Sequence, residues 1–228
     1  MAFEDYDEYE QSEQVRKWLR ENGLSVVIGV MLALALIFGW RQWQAHRASH
    51  HAQAAEKFAA LQSALLTGNS AQLDKDADVL EKDYSDTPYA ALAAAARANL
   101  AVGQNNLQEA GKALQWAIDH SSTPALHSLY QLRLARVQLA QDQAKQALDT
   151  LDRVPAADYP PLRQELRGDA LLKLGRASDA RAAYAQALAA LPADAAPGER
   201  QDLQMKLDDL ARANGAPTAA NVATSTAH

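Results

Sequence analysis

Polar and apolar positions divide this chain into two unlike parts. From Asn22 to Trp40 it reads NGLSVVIGVMLALALIFGW, 19 positions without an Asp, Glu, Lys or Arg. At about 1.5 Å of rise per residue, a helix of about 20 residues crosses the roughly 30 Å hydrocarbon layer of a bilayer. Trp40 and Trp43 stand where an interfacial aromatic belt would, and Arg16, Lys17, Arg20 and Arg41 bracket the run with charge. The pattern predicts a membrane anchor over residues 22–43. An acidic flank, a long apolar core and no small-x-small site before Arg47 argue against a cleaved signal peptide.

Ahead of the anchor, Val15, Trp18 and Leu19 fall at i, i+3 and i+4, the spacing of one helix face. With Arg16, Lys17 and Arg20 opposite, this predicts a short interfacial helix, preceded by an irregular acidic stretch over residues 1–13. Three cations before the anchor against Arg41 and Arg47 after it place residues 1–21 in the cytoplasm and the bulk of the chain outside. Within the anchor, Ser25, Gly29 and Ala33 at i, i+4 and i+8 form a small-residue face on which another transmembrane helix could pack closely.

Beyond Trp43 the apolar positions recur with helical period. Phe58, Leu61 and Leu65 form one stripe, ended by Thr67-Gly68-Asn69, and Leu73, Ala77, Leu80 and Tyr84 a second. Alanine-rich helices then come in pairs: 89–103 with 107–120, 125–140 with 143–153, and 162–175 with 177–191. Gly168, Gly175, Ala180, Tyr184, Ala187 and Pro192 have the spacing of a tetratricopeptide repeat. Ala135, Ala147, Leu151 and Val154 occupy the same slots 33 residues earlier, and Ala110, Leu114 and Ala117 a further 37 back. The prediction is an all-α protein: a transmembrane helix followed by an α-solenoid over residues 44–214. Glu199–Asn214 forms a closing helix with Leu203, Leu207 and Leu210 on one side, and 215–228 is a low-complexity, disordered tail.

Composition narrows the chemistry. Alanine supplies 50 of 228 residues, which favours helix throughout. Beyond residue 44 there are 18 basic and 21 acidic side chains, a balance with no footprint for nucleic acid. The chain has no cysteine, so disulfide and thiol chemistry are excluded. His46, His50 and His51 lack a local carboxylate to complete a metal site and read as a solvated juxtamembrane face. Asp74-x-Asp76-x-Asp78 opens like a calcium loop, but Val79 and Ser85 replace the required Gly and Glu. No nucleophile, metalloprotease or nucleotide fingerprint occurs, so no catalytic residue, cofactor or metal is assigned.

What a repeat stack does offer is a groove along the first helices of its pairs. The repeat register assigns that groove Ala93, Arg97 and Leu100, then Leu132, Arg136 and Leu139, then Glu165, Asp169 and Leu172. The last leucine of each set fits the inter-helix core equally well. Mixed apolar and charged positions suit polypeptide segments of no fixed sequence.

Several blocks of the chain carry a family resemblance. They are Glu13-Gln14-Val15, Trp18, Asn22-Gly23, Gly39-Trp40-Arg41-Gln42-Trp43, Thr87-Pro88-Tyr89-Ala90, Leu132-Arg133-Leu134-Ala135-Arg136, Glu165-Leu166-Arg167-Gly168-Asp169-Ala170-Leu171 and Arg181-Ala182-Ala183-Tyr184. With the anchor ahead of them, they resemble the YfgM family of ancillary Sec translocon subunits. The resemblance implies a single-pass protein of the bacterial inner membrane with a periplasmic repeat domain. It further implies three kinds of partner: the Sec translocon channel subunits, a membrane-anchored periplasmic prolyl isomerase-type chaperone, and emerging envelope proteins. The alternative reading is a membrane-tethered scaffold for another envelope complex, such as division or cell-wall synthesis machinery.

Overall fold

The computed structural model describes residues 4–215, and all nine elements found there are helices. They are α1 (Glu4–Leu66), α2 (Ser70–Asp83), α3 (Pro88–Gly103), α4 (Leu107–His120), α5 (Pro124–Ala140), α6 (Ala144–Leu151), α7 (Pro160–Lys173), α8 (Ala177–Ala190) and α9 (Pro197–Gly215). The chain divides into two units, Met1–Gln53 and Ala54–His228. The tail expected over 215–228 lies outside the described residues apart from Gly215, which ends α9.

In the first unit the interfacial helix and the anchor are parts of one helix, α1, which already begins at Glu4. The acidic stretch expected to be irregular is therefore helical from Glu4 onward. Glutamate and glutamine are good helix formers, and acidic side chains near a helix N-terminus complement its dipole. Across Val27–Leu66 the helix is long and apolar enough to cross a membrane, and none of its most apolar window is buried by protein. Leu24, Leu36 and Phe38 are each at least 75% exposed. Trp40 and Trp43 lie with ring centroids 5.0 Å apart, and the Arg47 guanidinium stands 4.9 Å over the Trp43 ring.

In the second unit the helices form antiparallel pairs joined by one recurring turn. Gly68, Asn105, Asp142 and Gly175 all adopt left-handed φ, between 59° and 74°. At each, the amide of the next residue donates to a carbonyl five positions back: Asn69 to Ala64, Asn106 to Ala101, Gln143 to Gln138 and Arg176 to Leu171, at 2.8–2.9 Å. A second bond from the left-handed residue itself completes a Schellman motif in every case. The repeat thus has four pairs. The end of α1 with α2 forms the first, and α9 follows the last. Asn69 and Asn106 cap α2 and α4 by accepting amide hydrogen bonds, while Pro88, Pro124 and Pro160 open α3, α5 and α7 with their φ already set for helix.

Packing within the pairs follows a size-compensation rule. At the repeat slots where two helices cross, the fourth pair has Gly168 with Tyr184, the third Ala135 with Leu151, the second Ala98 with Leu114 and the first Leu61 with Ala77. All eight are buried. A small residue on one helix faces a large one on the other, and the order reverses in the first pair. The fourth pair is the tightest: a Cβ on Gly168 would lie 2.4 Å from Cε1 of Tyr184. Glycine is the residue the tyrosine ring permits there. Between pairs the core continues through α3 and α4 onto α5 (Ala98, Leu114, Tyr130, Leu134), through α5 and α6 onto α7 (Leu132, Leu151, Leu166), and through α8 onto Leu203 and Leu210 of α9.

Candidate functional site

Helices α5 and α7 are neighbours, and their facing sides leave an open cleft of about 480 Å³. Arg136, Leu139 and Ala140 come from α5, and Glu165, Leu166, Asp169, Leu172 and Lys173 from α7. Arg136 and Leu172 are exposed, while Leu139 is buried at the base. Five of the nine groove residues expected from the repeat register therefore meet in one place: Arg136, Leu139, Glu165, Asp169 and Leu172.

The other four lie elsewhere, with Ala93 buried in the core that α1, α2 and α3 share. Arg97 turns from α3 toward α2, where it donates to Glu81 at 3.1 Å, to Asp78 at 2.5 Å and to the carbonyl of Asp74 at 3.1 Å. That places Asp74 and Asp78 of the Asp74-x-Asp76-x-Asp78 pattern in a structural ion cluster, while Asp76 accepts from the Gln72 side-chain amide. Burial raises the Glu81 carboxyl above the usual carboxylate range, against the pull of Arg97. Leu100 packs against the core shared by α1, α2 and α3, and Leu132 is 1% exposed in the core of α5 to α7.

Besides Ala140, Leu166 and Lys173 of the lining, sequence periodicity missed a cation that reaches the α5–α7 site. Lys206 of α9 donates to Glu165 at 2.8 Å and to Asp169 at 2.7 Å, and its ammonium lies 5.3 Å over the Tyr184 ring. Asp169 also accepts the Tyr184 hydroxyl at 2.7 Å. Burial would lower the Lys206 pKa, but the hydrogen bonds to the two carboxylates outweigh it and the net shift is upward. Burial and the Asp169 carboxylate together push the Tyr184 hydroxyl well above its ordinary value. A lone lysine on an amphipathic helix gives no local sign of such a role. Its partners lie 37 and 41 residues away in sequence.

On α1, Ser25, Gly29 and Ala33 share one open face, and a Cβ on Gly29 would meet nothing within 4 Å. His50 and His51 stand edge-on with ring centroids 6.4 Å apart, and no group of three metal-ligating side chains occurs among the described residues.

A family model described as a tetratricopeptide repeat-like domain matches residues 16–212, most of both units. An Escherichia coli (strain K12) protein named ancillary SecYEG translocon subunit is 31% identical, over 90% of this chain and 97% of that protein. The chain belongs to this family. Relatives of the same name occur in Haemophilus influenzae, 29% identical over 90% of this chain and 98% of the relative, and in Neisseria gonorrhoeae, 26% identical over 90% and 97%. Among solved structures, a Podospora anserina protein described as a kinesin light chain with nearly identical TPR-like repeats superposes with a TM-score of 0.53. At 19% identity, over 74% of this chain and 86% of that one, it supports the fold alone. The family's repeat architecture is scaffolding in kind. It accounts for a surface made of clefts and ion pairs.

Proposed function

We propose that this family member is an ancillary subunit of the Sec translocon. On this reading it is anchored in the inner membrane by α1, with its N-terminus in the cytoplasm and its repeat domain in the periplasm. The observation that carries the reading is the joint presence, in one chain matched almost end to end by proteins of that name, of an unburied apolar helix and a repeat domain. The Ser25, Gly29 and Ala33 face would lie against a helix of the channel, because small residues let two backbones approach within a lipid environment. The α5–α7 cleft would receive segments of a membrane-anchored prolyl isomerase-type chaperone or of emerging envelope proteins. Its exposed Leu172 supplies apolar surface, and Arg136, Glu165 and Asp169 supply charge of both signs.

Affinity purification of the full chain from native membranes tests the assignment. Channel subunits are expected as the dominant partners, with recovery reduced several-fold in Gly29→Leu while membrane insertion is unchanged. Dominant recovery of division or wall-synthesis proteins would reject the translocon assignment. A reporter active only in the periplasm, fused after residue 214, is expected to be active. Activity of a cytoplasmic reporter at that position would reverse the topology.

A further inference from the structure

We propose that a second pocket, between α3, α4 and α5, binds a large apolar side chain flanked by a carboxylate. That would make the repeat domain a receptor for acidic-apolar polypeptide segments. The pocket measures about 330 Å³. Its floor is Ala98 and Leu114, both buried, and its rim includes Val102, which is 45% exposed. An apolar base of this size under an open rim suits one bulky side chain and the backbone that carries it.

The wall on α5 supplies the polarity. Arg133 and Arg136, three residues apart and so neighbours on one helix face, both line the pocket. Among the described residues, no acidic side chain lines it. Several other cations of the repeat domain are neutralised locally: Arg97 by α2 carboxylates, Arg167 by Asp152, Lys173 by Asp142, Arg176 by Asp179 and Lys206 by α7. In a domain with more acidic than basic residues, two guanidiniums on one apolar pocket without a carboxylate partner form a local positive site. Guanidinium favours carboxylates through paired, charge-assisted hydrogen bonds, and the adjacent floor removes apolar surface from water at the same time. A ligand with only one of the two features would use half of the site.

The proposal rests on reading the repeat domain as a polypeptide binder and is independent of the translocon. The full chain, held in phosphatidylcholine nanodiscs, is titrated into three fluorescein-labelled decapeptides. The first alternates Phe with Asp, the second replaces every Asp by Lys, and the third replaces every Phe by Ser. Fluorescence anisotropy is expected to show the Phe-Asp peptide binding at least about tenfold more tightly than either control. Arg133→Gln with Arg136→Gln should abolish that preference at an unchanged melting temperature. Val102→Trp should weaken binding of the Phe-Asp peptide by filling the pocket.

Equal affinity for all three peptides, or full preference in the double glutamine variant, overturns the proposal. So does displacement of the peptide by soluble dihexanoyl phosphatidylglycerol together with loss of peptide discrimination, which would assign the pocket to a lipid headgroup. Loss of discrimination with channel co-purification intact rejects the pocket alone. Discrimination without co-purification rejects the translocon assignment alone.

Discussion

Residues 22–43 of α1 and the whole of α3 are both helical and nearly uncharged, yet their apolar side chains meet opposite fates. In α3, Ala90, Ala91, Ala93, Ala94, Ala95, Ala98 and Ala101 are all buried, because α2 and α4 pack against the helix. In residues 22–43 of α1, the described Leu, Ile, Val and Phe side chains are exposed around the full circumference. A helix that is apolar all round has two stable solutions, a protein interior or a lipid one. Alanine suits the first, because a short side chain lets neighbouring helices come close and costs no rotamer entropy on burial. Bulky aliphatic residues with no protein neighbour suit the second, where fluid chains fill the gaps and sheer apolar area decides insertion.

Placing charge in the apolar anchor breaks this contrast most strongly. Val30→Arg together with Leu34→Arg should cost about 5–7 kcal/mol of insertion free energy, on a scale of about 2.5–3.5 kcal/mol per central arginine. Carbonate extraction of membranes should then find the protein in the soluble fraction, with its repeat domain still folded by circular dichroism. Retention in the membrane pellet would mean that the helix is not held by its apolar surface.

A smaller effect probes the close packing that distinguishes the second unit. Gly168→Ala pushes a methyl group into the Tyr184 ring, and overpacking of this kind costs about 1–3 kcal/mol. Adding Tyr184→Leu reproduces the Ala and Leu combination that the second and third pairs already use. The double variant should therefore melt above the sum of its single changes, a favourable coupling in a double-mutant cycle. Additive losses would show that the two slots do not share one crossing.

The smallest effect concerns the cation that joins α9 to α7. The folded-state pKa of Lys206 is raised, so its pairing with Glu165 and Asp169 contributes fully below the unfolded-state pKa of about 10.4 and is lost as pH rises through the folded value. The raised Tyr184 pKa acts in the same direction, because the unfolded tyrosine ionises first, near pH 10. With a third of the Lys206 side chain exposed, solvent screening keeps its share near about 1 kcal/mol. Urea unfolding from pH 8 to 12 should show wild type losing stability above about pH 10. Lys206→Gln should start lower and lose less. Parallel pH profiles for the two proteins would exclude the lysine as the source.

Helix existence and spacing were legible because their causes are local. The apolar period, the proline starts and the spacing of Gly168, Ala180 and Tyr184 each depend on residues within one or two turns of one another, and the helix pairs expected from them match α3 to α8 closely. Even the first pair, α1 with α2, left a local trace. Gly68 lies 37 residues before Asn105, which lies 37 before Asp142, but an Asn or Asp in a left-handed turn looks like any polar loop residue until its φ is known.

Which side chains meet was decided by tertiary structure alone. Arg97 and Arg136 are expected in one slot of successive repeats, but the turns at Asn105 and Asp142 set a repeat of 37 residues, which makes Asn99 the counterpart of Arg136. Arg97 turns instead to α2 carboxylates, and Arg136 opens into two clefts. Lys206 enters the α5–α7 site from a helix whose own pattern shows only a capping stripe. The anchor's length, the helical class and the repeat period follow from short-range backbone and solvation rules, and the sequence carries those rules directly. Ion pairs and clefts depend on how helices cross between residues 15 to 41 positions apart, a geometry that exists only once the pairs have stacked.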